Sequence, residues 1–357
     1  MPHRPNVLVT GGAGYIGSHA VLALRDAGRR VAVIDNLSTG FRWAVPADVP
    51  FHEGDVEDQA LVRRIVAKHE IGAIMHFAGS VVVPESVANP LKYYHNNTAK
   101  SRSLIEAATQ AGVRHMIFSS TAATYGTPEL PAVPEDCPQQ PINPYGMSKL
   151  MTEAMLADVA AAHSLNYCAL RYFNVAGADP LGRTGQSTAG ATHLVKVAVE
   201  AALGRRDSVD IFGTDYATPD GTGVRDYIHV SDLVTAHVLA LDALVAEPRR
   251  NLTLNCGYGR GFSVLDVLDA VDRAAGTRIA RRSCPRRAGD PAALIADNTR
   301  IMATLPWTPR HANIDAIVTH ALAWERHLDR FRGKTAEIMP ELAHFADTRL
   351  DFAANAP

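Results

Sequence analysis

Tyr145 and Lys149 stand four residues apart in a Tyr-Gly-Met-Ser-Lys run, a spacing that puts both side chains on one face of a helix. An ammonium beside a phenol favours the phenolate and draws the tyrosine pKa down from about 10 toward neutrality. A phenol tuned in this way can act as general base on a secondary alcohol. Upstream lies Ser119-Ser120-Thr121, and a hydroxyl from this run can bond the oxygen that loses its proton. Spacing of this kind is common by chance, so the weight falls on what surrounds it.

The surroundings include Thr10-Gly11-Gly12-Ala13-Gly14-Tyr15-Ile16-Gly17, with glycines three apart at Gly11, Gly14 and Gly17. Gly11 permits a tight turn, Gly14 lets a pyrophosphate approach the backbone, and Gly17 lets helix and strand pack closely. The free N–H groups and dipole at the following helix start favour phosphate. Asp35 closes the next apolar run, where a carboxylate accepts hydrogen bonds from an adenosine ribose and repels a 2′-phosphate. NAD is therefore expected rather than NADP. Asp55 stands where it can reach the adenine, and Ala78 and Gly79 allow close backbone approach at a later strand end.

These residues need a frame, and the pattern supplies one. Short apolar runs at Asn6–Thr10, Val31–Ile34, Ala73–Phe77, Met116–Phe118 and Tyr167–Arg171 alternate with helical spacing over Ile16–Ala27, Leu91–Gly112 and a segment from about Tyr145. Such alternation predicts an α/β protein, a doubly wound and mostly parallel Rossmann sheet with a smaller C-terminal α/β substrate domain. The expected division is an NAD-binding domain over 1–178 with a return segment near 225–257. A smaller substrate-binding domain would cover 179–224 and 258–340, followed by a tail at 341–357.

Size and composition agree. The chain has 357 residues, 47% hydrophobic and 20% charged, ordinary values for a folded protein with a large core. A net charge of −2 argues against nucleic acid as a partner. Cys137, Cys168, Cys256 and Cys284 are dispersed without metal or redox spacing, which suits a reducing compartment. The histidines are scattered, so no metal is expected; His76, inside an apolar run, reads as a core residue. No apolar run has the length of a membrane span and the N-terminus has no signal-peptide core. A cytoplasmic location without membrane association follows as the expectation.

The strings TGGAGYIGSH, HFAG, YYHNN, FSSTAATYG, PYGMSK and RYFN resemble the extended short-chain dehydrogenase/reductase family. GVRDYIHV at 223–230, PRRAGD at 285–290, and GRRDS at 204–208 followed by IFG at 211–213 are similar to its UDP-glucose 4-epimerase branch. The resemblance runs from about residue 6 to 330. It implies that bound NAD takes a hydride from sugar C4 while Tyr145 takes the hydroxyl proton. The resulting 4-keto sugar turns over and receives the hydride on its other face. Lys149 becomes the electrostatic partner and Thr121 the substrate-bonding hydroxyl. The implied cofactor contacts are Gly11, Gly14, Tyr15, Ile16, Gly17, Asp35, Asn36, Asp55, Val56, Phe77, Ala78, Gly79, Asn96, Tyr145, Lys149 and Phe173.

On the substrate side the resemblance implies that Arg225 and Arg287 hold the UDP diphosphate and Asp290 accepts from a ribose hydroxyl. Asn174 would contact the sugar or phosphate, and His193-Leu194 and Ile211-Phe212 would surround phosphates and uracil. Three positions depart from the family pattern: Val81 replaces a common lysine, Thr121 stands where serine is common, and Leu294 stands where a bulky or a small residue limits or admits N-acetyl sugars. UDP-N-acetylglucosamine and UDP-pentoses therefore stay open beside UDP-glucose and UDP-galactose. A nucleotide-sugar 4,6-dehydratase also stays open, although Ala122 and Ala123 follow Thr121 where such enzymes carry acids. A non-catalytic NAD-binding protein would be expected to lose the Tyr/Lys pair or the arginines, and both are present. Apolar helix faces near 91–111 and 146–163, together with the resemblance, lead to the expectation of a homodimer.

Overall fold

A computed structural model describes residues 4–287 and 290–338; the expected tail at 341–357 lies outside the described residues. β1 (Asn6–Thr10) is a five-residue strand with its last four residues buried, as a central parallel strand covered on both faces must be. A glycine turn leads into α1 (Tyr15–Asp26), then β2 (Val31–Asp35) and β3 (Phe51–Glu53). α2 (Gln59–Lys68) begins under Asp58, whose carboxylate accepts the Leu61 N–H at 2.9 Å, the usual device for an orphan helical donor. β4 (Ile71–His76) follows.

The next segment departs from expectation. Helical spacing over 91–111 predicts one helix, but the chain forms α3 (Val83–Ala88), α4 (Pro90–Tyr93), a π-helical turn at Tyr94–Ala99 and only then α5 (Lys100–Gln110). Proline at the first position starts α4. The widened π turn lets neighbouring side chains serve one target. Asn96 Nδ2 donates to Ser80 Oγ at 3.0 Å, and Asn97 Oδ1 accepts the Ser80 N–H at 2.7 Å.

β5 (His115–Ser119), α6 (Pro144–Ala162) and β6 (Asn166–Tyr172) complete the first run. The chain then leaves through β7 (Asn174–Ala176), α7 (Leu194–Ala202), β8 (Val209–Phe212) and β9 (Val224–His229). It returns by α8 (Val230–Ala246) and β10 (Leu252–Cys256). Last come β11 (Gly261–Ser263), α9 (Val264–Ala275), β12 (Arg281–Cys284), β13 (Ala293–Leu294), α10 (Thr299–Thr304) and α11 (Ile314–Ile338).

The large sheet has seven parallel strands in the order β10-β6-β5-β4-β1-β2-β3, and the order reverses beside β1, where such sheets bind ligands outside the strand ends. Alternate residues feed two cores. Val7 and Val9 pack with α1 and α8, while Leu8 packs on the other face with residues of α2 and α5. A third core joins α7, α9 and α11 over the smaller strands.

Candidate active site

The glycine turn leaves no room for side chains. A Cβ on Gly11, whose φ is +68°, would lie 2.7 Å from the Ala78 backbone nitrogen, and one on Gly17 would lie 2.1 Å from the Gly11 carbonyl oxygen. The turn, the start of α1 and the end of β4 thus share a tight cradle that suits a pyrophosphate. Tyr15 and Ile16 open α1, and the Tyr15 hydroxyl donates to the Gly177 carbonyl at 2.7 Å.

Asp35 is buried at the end of β2, where it accepts N–H bonds from Ala13 (2.9 Å) and Leu37 (2.8 Å). Burial pushes its pKa up and these two bonds oppose the rise. A carboxylate offers about four acceptor positions, so capacity remains for ribose hydroxyls. Asp55 is tied to Lys100 at 2.7 Å and to Asn36 at 3.0 Å. Burial raises its pKa, but the bonds from Lys100, the Glu57 N–H and Asn36 outweigh this and hold it below the usual range. Lys100 was not foreseen from the sequence; no motif contains it. Val56 is buried, and partly buried Phe77 packs against the core with its ring tilted 35° to that of His237 at 5.0 Å. Val81 is 49% exposed.

α6 delivers the Tyr/Lys pair. Asn143 caps it by accepting the Gly146 N–H at 2.8 Å, and Pro144 takes the first helical position. Tyr145 and Lys149 are both buried. Thr121 Oγ1 accepts the Ala123 N–H at 3.1 Å, and its hydroxyl draws the Tyr145 pKa down.

The electrostatics differ from the sequence expectation. Burial raises the Tyr145 pKa, the Thr121 hydroxyl opposes it, and Lys149 does not enter. The ammonium donates instead to the Ser119 carbonyl at 3.0 Å. Burial draws its own pKa down to about 8. Four-residue spacing puts the two groups on one face, but it does not fix where the long lysine stem ends.

The substrate side gathers around β9. Arg225 pairs with Asp290 at 3.0 Å and also donates to the Val224 carbonyl. The Arg287 guanidinium lies over the Phe212 ring, 3.7 Å from its centroid. Ile211 is buried in β8, His193 bonds Gln186 at 2.9 Å just ahead of Leu194, and Asn174 pairs with Tyr227 across β7 and β9. Leu294 is in register with Arg225 and packs with Phe173 against Ala122 and Tyr125. Leu294 therefore shares an apolar cluster with the residue after Thr121.

Sequence spacing did not reveal that His229, His311 and His320 lie together, with one ligand atom from each within 4.8 Å of the others. His229 Nδ1 accepts the Ser231 N–H at 3.0 Å, so neutral His229 carries its proton on Nε2 and gives it to His320 Nδ1, also at 3.0 Å. Both nitrogens of His229 are thus committed to hydrogen bonds, and the group acts as a clamp between β9 and α11. His76 is held likewise between Thr10 Oγ1 and Ser101 Oγ.

A reversing parallel sheet, a glycine cradle beside a buried carboxylate and a Tyr/Lys pair on a capped helix define a Rossmann-fold enzyme built around a dinucleotide. The chain belongs to the NAD dependent epimerase/dehydratase family, whose model matches residues 7–257. It is 56% identical to the UDP-glucose 4-epimerase of Azospirillum brasilense over 330 residues, 92% of this chain and 94% of that protein. It superposes with TM-score 0.88 and 38% identity on a UDP-glucose 4-epimerase from Stenotrophomonas maltophila solved with NAD and formylated UDP-arabinopyranose, covering 92% of this chain and 99% of the other. The UDP-Glc/GlcNAc 4-epimerase of Campylobacter jejuni aligns with TM-score 0.80 and 44% identity over 91% of this chain and 100% of its own.

Proposed function

We propose that this chain interconverts UDP-glucose and UDP-galactose by epimerisation at C4, through a transient 4-keto sugar, with tightly bound NAD. The observation that carries the reading is the buried Tyr145/Lys149 pair on α6, whose Lys149 Nζ donates to the Ser119 carbonyl at 3.0 Å and lies 3.6 Å from where a Cβ on Gly79 would stand. Tyr145 removes the C4 hydroxyl proton and returns it after the sugar has turned over. Thr121 holds the oxygen in line, and Lys149 fixes the Ser119 carbonyl and the strand end that carries Thr121. Gly11, Gly14 and Gly17 with α1 would hold the dinucleotide phosphates, Asp35 the ribose, and Asp55 the adenine end. NAD supplies the hydride acceptor and donor and, when oxidised, a positive charge that favours the phenolate. Such a charge would oppose the rise which burial imposes on Tyr145.

Arg225 and Arg287 would grip the diphosphate, with Asp290 released from Arg225 to accept a ribose hydroxyl. The dehydratase reading is disfavoured because Ala122 and Ala123, which follow Thr121, carry no acid. Incubation with UDP-galactose should yield UDP-glucose and no 4-keto-6-deoxy product. Tyr145→Phe should lower kcat by about 10²–10⁴-fold with an unchanged melting temperature; wild-type turnover in that variant would refute the assigned base.

The packing of Leu294 supports a second sugar. Leucine is smaller than the aromatic residue that closes the pocket in some family members, which leaves room for modest turnover of UDP-N-acetylglucosamine. Side-by-side kcat/KM values test this, and complete failure on the acetylated sugar would exclude it.

We also propose a dinucleotide unit of 1–178 with 225–257, and a sugar unit of 179–224 with 258–340. The return of β10 to the large sheet supports the first of these. A homodimer through the helices at 91–111 and through α6 is supported by the exposed Leu91 (77%) and Met151 (41%). Four free thiols suit a cytoplasmic location, and among the described residues no helix is long and apolar enough to cross a membrane.

A further inference from the structure

Tyr145, Lys149 and Glu153 follow one another at four-residue steps along α6. Each holds a different part of the same strand end. Thr121 draws down the pKa of the Tyr145 phenol, Lys149 Nζ donates to the Ser119 carbonyl at 3.0 Å, and the Ser120 hydroxyl donates to Glu153 Oε1. The tripeptide that begins with the last residue of β5 therefore meets the helix at three consecutive residues. Only the first two attachments involve groups already assigned to the chemistry.

The third attachment is anchored from behind. Arg171, on β6, grips Glu153 in a fork, with Nε at 3.0 and 3.2 Å from the two carboxylate oxygens and Nη2 at 2.6 Å. Arg171 Nη1 also donates to Tyr125 Oη at 3.0 Å and to the Glu135 carbonyl at 3.1 Å. Ser120 is fully buried, and Arg171 and Glu153 are 3% and 6% exposed. A bidentate guanidinium–carboxylate pair is directional, so it fixes the Glu153 carboxylate and, through it, Ser120. A buried pair of this kind is a poor source of stability, because apolar residues of similar volume often do as well.

We propose that Glu153 and Arg171 are positioning residues for the proton transfer: acting through Ser120, they set the register of the Ser119–Thr121 strand end against α6 and so align Thr121 with Tyr145. The proposal rests on the reading of Tyr145 as the base. Glu153 needs no contact with substrate or dinucleotide. Arg171 neutralises it, so its charge does not act on Lys149, whose pKa burial alone draws down.

The test uses the holoenzyme and two variants that cut the third attachment in different ways. Ser120→Ala removes the hydroxyl and leaves the ion pair intact. Glu153→Leu/Arg171→Met removes both charges together, so the net charge near Tyr145 is unchanged. In each, kcat should fall roughly 10- to 100-fold, the scale of an ångström-sized misplacement, with KM within about threefold. The acidic limb of the kcat–pH profile should move to higher pH, because the Thr121 hydroxyl that lowers the phenol pKa is displaced. The ultraviolet titration of the phenol, taken as a difference from Tyr145→Phe, should move the same way. Ser120→Thr keeps the hydroxyl and should restore both readouts.

Glu325→Gln is the control. Glu325 is buried at 1% exposure and paired with Lys196 and Arg205, away from β5, so it reports a structural loss without a register loss. A fall in melting temperature in both sets of variants, with no change in pH profile, would overturn the positioning role. An unmoved profile in Ser120→Ala would do so too. If the wild-type protein turns over neither UDP-galactose nor the N-acetyl and pentose UDP-sugars, the base assignment itself falls, and that outcome is distinct from either.

Discussion

At the scale of the residue, the site is a set of ionisable groups held away from their ordinary behaviour by burial. Lys149 is the clearest case, with its pKa drawn down to about 8 from 10.5. Between those values the unfolded chain binds a proton that the folded one does not, so stability should rise as pH rises through that window. Lys149→Met should lack this rise, so the melting temperature of the wild type relative to the variant should climb steadily from pH 8 to 10.5. A flat difference would show that Lys149 titrates normally. The residues of this site were legible in type but not in partnership. Spacing pointed to Tyr145 and Lys149, the family resemblance to Thr121, and the glycines to the cradle. The lysine's true acceptor, Ser119, depends on where a flexible stem comes to rest, which no local pattern encodes. Lys100 beside Asp55 was invisible for the same reason, since the two are joined by folding and not by sequence.

At the scale of the element, apolar runs located β1, β2, β4, β5 and β6 of the large sheet because strands buried on both faces leave continuous hydrophobic stretches, whereas the short, half-exposed β3 gave no such run. The segment at 91–111 misled because a π turn keeps helical periodicity on both sides of itself. Its purpose is polar: Asn96 and Asn97 both hold Ser80, and Asn97 also donates to Ser148 Oγ at 3.0 Å, tying the turn after β4 to α6. The tightest element contact is the glycine turn against α1. Gly17→Ala would place a methyl 2.1 Å from a backbone oxygen, and the strain should cost about 1–3 kcal/mol. The variant should purify with substoichiometric dinucleotide, measured after denaturation, and with a lowered melting temperature. Full cofactor retention would mean that the turn yields more easily than its geometry shows.

At the scale of the whole molecule, several histidines are buried and neutral. Burial is the leading cause for each, drawing His19 and His237 to about 4, His76 to about 3 and His229 to about 2. Below pH 6.5 the unfolded chain takes up protons that the folded chain cannot, so stability should fall as pH drops. Melting temperature against pH should show uptake of several protons per molecule on unfolding, and a slope of one proton or fewer would contradict this picture. The proposed dimer is tested at the same scale: Leu91→Asp should sediment as a monomer with its fold intact. The small strands β8, β11, β12 and β13 were not legible, because two to four residues carry too little pattern to stand out from the glycine- and proline-rich loops around them. The path of the chain has one more consequence. β10 covers the outer edge of β6, and α8 packs on α1, yet both are synthesised after the excursion through β7, α7, β8 and β9. A ribosome that has released only the first 178 residues presents a sheet with a bare margin and one greasy face. Such a fragment should stick to itself or to chaperones, and the full chain should reach its native form only after residue 256 has emerged.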